Sequence, residues 1–562
     1  MPEEERILIG KTTATYQVAS TVDEFQFWIK EGVEIQPYDF VTARDGYFYS
    51  IGTVVEISNY TDAMSHLSNR IVSDVPGMPL LDRLSATVAK VSVFYSYQLV
   101  NNGEKLEKRY PVSSGVDVFV SNKEEILDGL NAGQVPTQWF PAGIISRTSG
   151  EGVIVPLQAE YLVGPESGHM NVSGISGLAT KTSYMMFLLY CITKKFPDKY
   201  INIIFNVKSA DLMNIDKKSN ELDETDKSIY KLIFKEYGLD FKEDSPEPFT
   251  NVKYYQPRGP EGKPLSYSSR QGDIYAFTLS DVHNDLDLLL SDVRDEYHTV
   301  DSFTRFVVRD WNEDNGRWEI RGSYQRYKGP PVPVELNAST WDELLDLFDN
   351  NSEDISGVYG LATSTVGRIK REIGRLTQST IFVENRSTRE HFIREVIRNS
   401  KPGQTIVIDI AKLGRSEQTF VIGEVFRELG NIINLETEEN HKQAIVVVDE
   451  LNTLAPAKQQ SPLKEQIIEV ARKGRSVGFI VFGAEQFASE VDDQIIGNSA
   501  LRVLGRTSAM EISSPAYSNY SRQEKNTVMM LRKGEMLISY PVFRSNVKIR
   551  FPRPPYKTLS NR

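Results

Sequence analysis

The stretch Ala444-Ile-Val-Val-Val448-Asp449-Glu450 constrains this chain more than any other. Successive β-branched residues leave no polar face. A strand built from them is covered on both sides, as in a parallel sheet sandwiched by helices. The run ends in two adjacent carboxylates. Ligands of open α/β sheets bind at the carboxyl ends of the strands, so Asp449 and Glu450 fall where a ligand would sit. The expected fold class is α/β.

A second segment carries the complementary chemistry. Gly174-Ile-Ser176-Gly177-Leu-Ala-Thr180-Lys181-Thr182-Ser183 lies between an apolar, strand-like lead-in and a long apolar helix over 184–196. Glycine before a helix start lets backbone N–H groups turn toward an anion. The helix dipole then favours phosphate, and a Lys in the first turn reaches the β/γ oxygens. Lys181 takes that part, and the Thr182 hydroxyl stands where a phosphate loop places its Mg²⁺ ligand. Gly174, Ser176, Gly177, Thr180 and Ser183 complete the cradle. The run departs from the usual pattern, which has Gly directly before the Lys and one residue fewer; here Thr180 stands there. By itself it reads equally well as a polar turn before a core helix. With the acidic strand downstream, Asp449 would hold the Mg²⁺ shell through water and Glu450 would act as general base. A third apolar run, 477–486, ends in Glu485-Gln486, and the Gln486 amide could sense a γ-phosphate or position water.

Composition narrows the setting. The 562 residues are 40% hydrophobic and 25% charged, enough for two or three domains with sizeable cores. The single cysteine, Cys191, falls in the apolar helix and excludes a disulfide framework. The six histidines have no metal-ligand spacing, no stretch reaches membrane-spanning length, and the first residues lack signal-peptide character. A cytoplasmic protein with no membrane association is expected. The net charge of −12 argues against a surface coated for nucleic acid but leaves room for a local basic channel.

Residues 1–160 read as an antiparallel β-barrel, with alternating segments at 40–57 around an Asp-Gly turn and at 89–99, 116–120 and 152–157. Residues 161–280 begin an α/β nucleotide-binding core. Residues 281–398 turn Leu-rich, acidic and amphipathic, as a helical insertion would. The core resumes over 399–515. Residues 516–562 read as strands and a basic, Pro-rich tail, better placed as a strap across a neighbour than as a core element.

This order of parts resembles the HerA ATPases, which stand with the FtsK-type DNA pumps. The resemblance spans nearly the whole chain. It is most specific at Glu469-Val-Ala-Arg472-Lys-Gly-Arg475-Ser-Val-Gly-Phe, continuing to Gln486, Asn498 and Arg506. It implies a RecA-like P-loop ATPase core behind a HAS-barrel-like N-terminal domain, ATP and Mg²⁺ as cofactors, and a homohexamer with its sites at subunit borders. It further implies double-stranded DNA in the central pore, and a nuclease or sirtuin-like effector docked on the barrel face, in antiphage defence. In that frame Glu450, Gln486 and Arg475 are the catalytic set, Arg475 as a finger acting across the subunit border. Arg472 and Arg506 are weaker candidates for the same part.

Polymer contacts are the least marked feature. The basic residues of 366–375, Arg368 and Arg371 among them, and Arg270 in the basic loop 253–270 could meet phosphates without reading bases. A ring that binds nucleotide, hydrolyses little and organises an effector is the alternative; the irregular loop motivates it. A conjugation or secretion pump shares the core but usually carries N-terminal membrane helices.

Overall fold

The computed structural model describes residues 6–61, 85–100, 103–133, 138–148, 151–166, 168–177, 180–238, 246–290, 299–326, 329–435 and 442–558. A thirteen-stranded sheet organises the larger part of the chain. Its parallel portion runs in the spatial order Glu390–His391, Asp273–Tyr275, Val252–Pro257, Thr405–Asp409, Tyr200–Asn206, Gln443–Val448, Phe479–Glu485, Gly168–Ser173 and Ser499–Leu504. Strands Glu535–Ser539, Val547–Arg550, Trp139–Ile145 and Val153–Gln158 extend it antiparallel.

The acidic strand, Gln443–Val448, behaves as its composition demands. Ile445 and Val447 face a core that includes the buried run Tyr184 to Ile192 of helix Lys181–Lys195. Val446 and Val448 face the opposite core, with Phe426 of helix Arg415–Leu435 and Ile467 of helix Pro462–Val477. Both faces are dry, which gives the three-layer RecA-like α/β core. Cys191 is fully buried in the first of these layers, and burial pushes its thiol pKa up, away from reactivity.

The N-terminal barrel is also present. Strands Leu8–Thr13, Glu24–Ile29, Phe40–Asp45, Phe48–Thr61, Ser85–Leu99 and Asp117–Val120 form a sheet closed by pairing of Glu24–Ile29 with Ser85–Leu99. The Asp-Gly hairpin stands at Asp45↔Phe48, with Gly46 at φ 61°. Ile9, Phe25, Phe27, Val41 and Val91 fill the interior.

Three parts are arranged differently from the reading of the sequence. The hairpin Trp139–Ile145 and Val153–Gln158 belongs to the central sheet, where Ile144 pairs with Arg550. Alternation predicts an antiparallel strand but not the sheet that completes it. The insertion is mixed rather than helical. Beside helices Thr299–Arg309, Trp341–Asn350, Ser352–Tyr359 and Thr363–Leu376 it holds a three-stranded sheet, Trp311–Asn312, Arg317–Gln325 and Pro331–Ala338. There Trp318 and Ile320 point into the core at period two, after a turn with Gly316 at φ 58°. The third difference is the tail, which straps its own chain. Tyr556 is buried against Phe249, Lys557 N–H donates to the Lys217 carbonyl (2.8 Å), and Tyr230 Oη donates to the Arg553 carbonyl (2.8 Å).

Tyr556→Ala is expected to destabilise the core by about 3 kcal/mol, as loss of a buried aromatic does. Denaturant unfolding checks it. A loss independent of protein concentration marks an intrachain strap, whereas a concentration-dependent loss would indicate a strap shared with a neighbour.

Candidate nucleotide-binding site

The carboxyl edge of the parallel strands gathers the residues that the sequence separates by hundreds of positions. The loop strand Gly168–Ser173 leads into Gly174, at φ 150°, whose N–H donates to the Glu485 carbonyl (3.2 Å). Ser176 and Gly177 are exposed, with Gly177 at φ 79° and open space where a Cβ would stand. Helix Lys181–Lys195 then begins. Lys181 is buried and its ammonium donates to the Gly174 carbonyl (2.6 Å). Burial pulls its pKa down, against the opposing pull of Asp449. Ser183 lies half-buried in the same first turn.

Thr180 explains the irregular loop. It adopts φ 48°, ψ 36°, the left-handed conformation, with no side-chain cap bond to the helix. A Gly directly before the Lys would take that conformation without strain; a β-branched residue there costs roughly 1–3 kcal/mol. The Thr180 hydroxyl accepts from Gly534 N–H at 3.5 Å, joining the loop to the turn before strand Glu535–Ser539.

Thr182 Oγ1 donates to Asp449 Oδ2 across 3.4 Å. A hydroxyl and a carboxylate so placed are hard oxygen donors suited to Mg²⁺, which takes one or two protein ligands and completes its shell with phosphate and water. Among the described residues there is no group of three or more His, Cys, Asp or Glu that could hold a metal ion. Glu450 follows at φ 59°, ψ 43°, also left-handed, with its N–H donating to Asp449 Oδ1 (2.9 Å). Gln486 lies half-buried just past strand Phe479–Glu485.

The other candidates are spread more widely. Arg475 is in the last turn of helix Pro462–Val477, directly before that same strand. Its backbone therefore lies at the amino edge of the sheet, a strand length of about 20 Å from the loop of its own chain. Arg472 is exposed on the same helix, while the Arg506 carbonyl accepts from Ile175 N–H (2.8 Å), beside the loop. Arg368 and Arg371 are exposed on helix Thr363–Leu376. Arg270 is committed elsewhere: its guanidinium pairs with Asp216 (3.0 Å) and stacks on Tyr254 at 3.9 Å. Its part in holding a polymer loses ground accordingly.

Two residues of the site escaped the sequence reading. Lys208, just past strand Tyr200–Asn206, places its ammonium 2.7 Å from Glu450 Oε1 and 3.5 Å from Asp449 Oδ2. Burial works against its charge, but the two carboxylates outweigh that and raise its pKa. Nothing in its spacing announces it. Glu485 is fully buried between the loop strand and the acidic strand, accepting from Asn171 Nδ2 (2.9 Å). Burial raises its pKa well above the usual carboxylate range, against the opposing pulls of the Asn171 hydrogen bond and Lys181. A carboxylate inside an apolar run was the available signal.

No family model matches the chain, and no curated protein matches it. Among solved structures it is similar to the bacterial conjugative coupling protein TrwBdeltaN70, with TM-score 0.44 and 12% identity over 76% of this chain and 92% of that one. VirB4 of Thermoanaerobacter pseudethanolicus gives TM-score 0.43 and 15% identity over 74% and 96%. The genome packaging NTPase B204 from Sulfolobus turreted icosahedral virus 2 covers less, 29% of this chain and 72% of its own, at TM-score 0.22 and 15% identity.

Two outcomes follow from the local geometry. Thr180→Gly should stabilise the protein by roughly 1 kcal/mol, the low end of the strain at a left-handed non-glycine residue, measurable as a higher unfolding midpoint. Glu485 ionises at its ordinary value of 4.5 when unfolded and at a raised one when folded. The unfolded state therefore loses its proton first, and this residue makes stability decline as pH rises above 4.5 toward the folded value. Glu485→Gln should flatten that decline, compared by denaturant unfolding at acidic and neutral pH.

Proposed function

We propose that this chain is an ATP-hydrolysing translocase of double-stranded DNA, of the HerA type, working as a homohexamer. The observation that carries the reading is the convergence of Lys181, Thr182, Asp449, Glu450 and Gln486 on one edge of the sheet. In this reading Gly174, Ser176, Gly177, Thr180 and Ser183 surround the phosphates, and Lys181 neutralises the β/γ oxygens. Thr182 and Asp449 would hold Mg²⁺, which would polarise the transferring phosphoryl group when bound. Glu450 accepts the proton of the attacking water, and Gln486 orients that water.

Arg475 completes the site from a neighbouring subunit. Its backbone position at the far edge of its own sheet supports that role, because it is too distant to serve in its own chain. Exposed Arg368 and Arg371 support a phosphate-contacting surface. We place a nuclease or sirtuin-like effector on the barrel face, and the assembly in antiphage defence; both rest on the resemblance in sequence order. Among the described residues no helix is long and apolar enough to cross a membrane. A second reading, a ring that binds nucleotide, hydrolyses slowly and organises the effector, is favoured by one observation: the strained Thr180 at the head of the loop helix.

Steady-state ATP hydrolysis with and without linear duplex DNA separates the two. Turnover that depends on Glu450 and rises with DNA supports the motor; binding with DNA-insensitive turnover supports the scaffold. Lys181→Ala should lose ATP binding in calorimetry, whereas Glu450→Gln should keep binding and lose turnover. Arg475→Ala should lower turnover by roughly 10³ while sparing nucleotide binding, as removal of an arginine finger does.

A further inference from the structure

We propose that Lys208 is a positioning residue that acts as a cationic placeholder: its ammonium occupies the place of the divalent cation at the acidic pair and leaves when the cation enters. The inference rests on the nucleotide-site reading above and deepens it. The Lys208 ammonium bridges the two acidic residues, 2.7 Å from Glu450 Oε1 and 3.5 Å from Asp449 Oδ2. Asp449 Oδ2 is the same oxygen that receives the Thr182 hydroxyl, so the ammonium stands at the atom where the hydroxyl and carboxylate converge.

The turn carrying Lys208 is built to hold it there. Ser209 is left-handed at φ 49°, which turns the chain directly after Lys208. Buried Asn206 pins that turn from below: its Nδ2 donates to the Ser209 carbonyl (2.9 Å) and to Asp409 Oδ1 (2.8 Å), and its Oδ1 accepts from Leu212 N–H (3.2 Å). Asp409, fully buried, also accepts from the Ser266 hydroxyl. Lys208 thus projects from an anchored turn toward the carboxylates, while 46% of its side chain is exposed and able to swing out.

Two consequences follow from its charge. Without a divalent cation, two adjacent carboxylates repel each other, and the ammonium relieves that repulsion. While it stays, it also occupies Glu450 Oε1, the oxygen that the attacking water would need. Departure of the ammonium from Asp449 and Glu450 would open the place of the cation and Glu450 Oε1 together. Turnover of a nucleotide lacking its cation is suppressed by the same contact.

The test is Mn²⁺ binding to the nucleotide-free, full-length protein, followed by the resonance of free Mn²⁺, for wild type, Lys208→Met, Lys208→Arg and Asp449→Asn. Lys208→Met should bind Mn²⁺ more tightly by roughly two- to fivefold, the range a partly exposed ion pair supplies. Lys208→Arg should match wild type and Asp449→Asn should bind most weakly. The Mg²⁺ concentration for half-maximal ATP turnover should fall in Lys208→Met by the same factor. General damage to the site would weaken metal binding, so a gain is specific to the placeholder. Equal or weaker Mn²⁺ binding in Lys208→Met overturns the proposal, as does Lys208→Arg behaving like Lys208→Met, or Asp449→Asn binding like wild type. Failure of the ATPase reading shows separately, as turnover that survives Glu450→Gln.

Discussion

The structure depends on a parallel sheet with no wet face. Strands such as Gln443–Val448 send alternate residues into two separate cores, so they must be covered by helices on both sides. Each helix then connects the carboxyl end of one strand to the amino end of another, and the strand ends form one edge. The loop after Ser173, the Asp449-Glu450 pair, Lys208 and Gln486 collect there. The order of strands matters as much as their burial. Phe479–Glu485 lies between the loop strand and the acidic strand, so Lys181 and Asp449 approach from either side of it.

This edge carries backbone strain and a buried acid. Thr180, Ser209 and Glu450 all hold left-handed backbone, a conformation that non-glycine residues adopt only under the constraint of their surroundings. Glu485 is a fully buried carboxyl beside the loop, its pKa raised by that burial.

The outlying parts are fastened to the core rather than merely joined to it. The hairpin Trp139–Ile145 and Val153–Gln158 extends the central sheet, and the tail returns over residues 217–230 and buries Tyr556. The insertion is tied down through ions: Asp285, fully buried, meets both Arg394 and Arg427, and buried Glu424 meets Arg394. Removing one member of such a cluster leaves a buried charge without compensation, so these contacts specify how the insertion sits on its neighbours.

What the sequence determined by itself is local chemistry and its periodicity. The β-branched run with its two carboxylates, the glycine-rich turn before an apolar helix and the Asp-Gly hairpin each carry their structure in adjacent residues. The α/β core, the barrel and the placing of the loop and acidic residues on one edge of the sheet were therefore legible. Tertiary structure alone decided the rest. Alternation could not say that residues 139–158 complete the central sheet, because an edge strand satisfies either partner. The charge and proline content of the tail could not show that Tyr556 is buried in its own chain. Arg270 reads as a free cation until Asp216 and Tyr254 are brought beside it. Lys208 meets Asp449 and Glu450 across more than 240 residues of chain, a distance in sequence that only the packing of parallel strands removes.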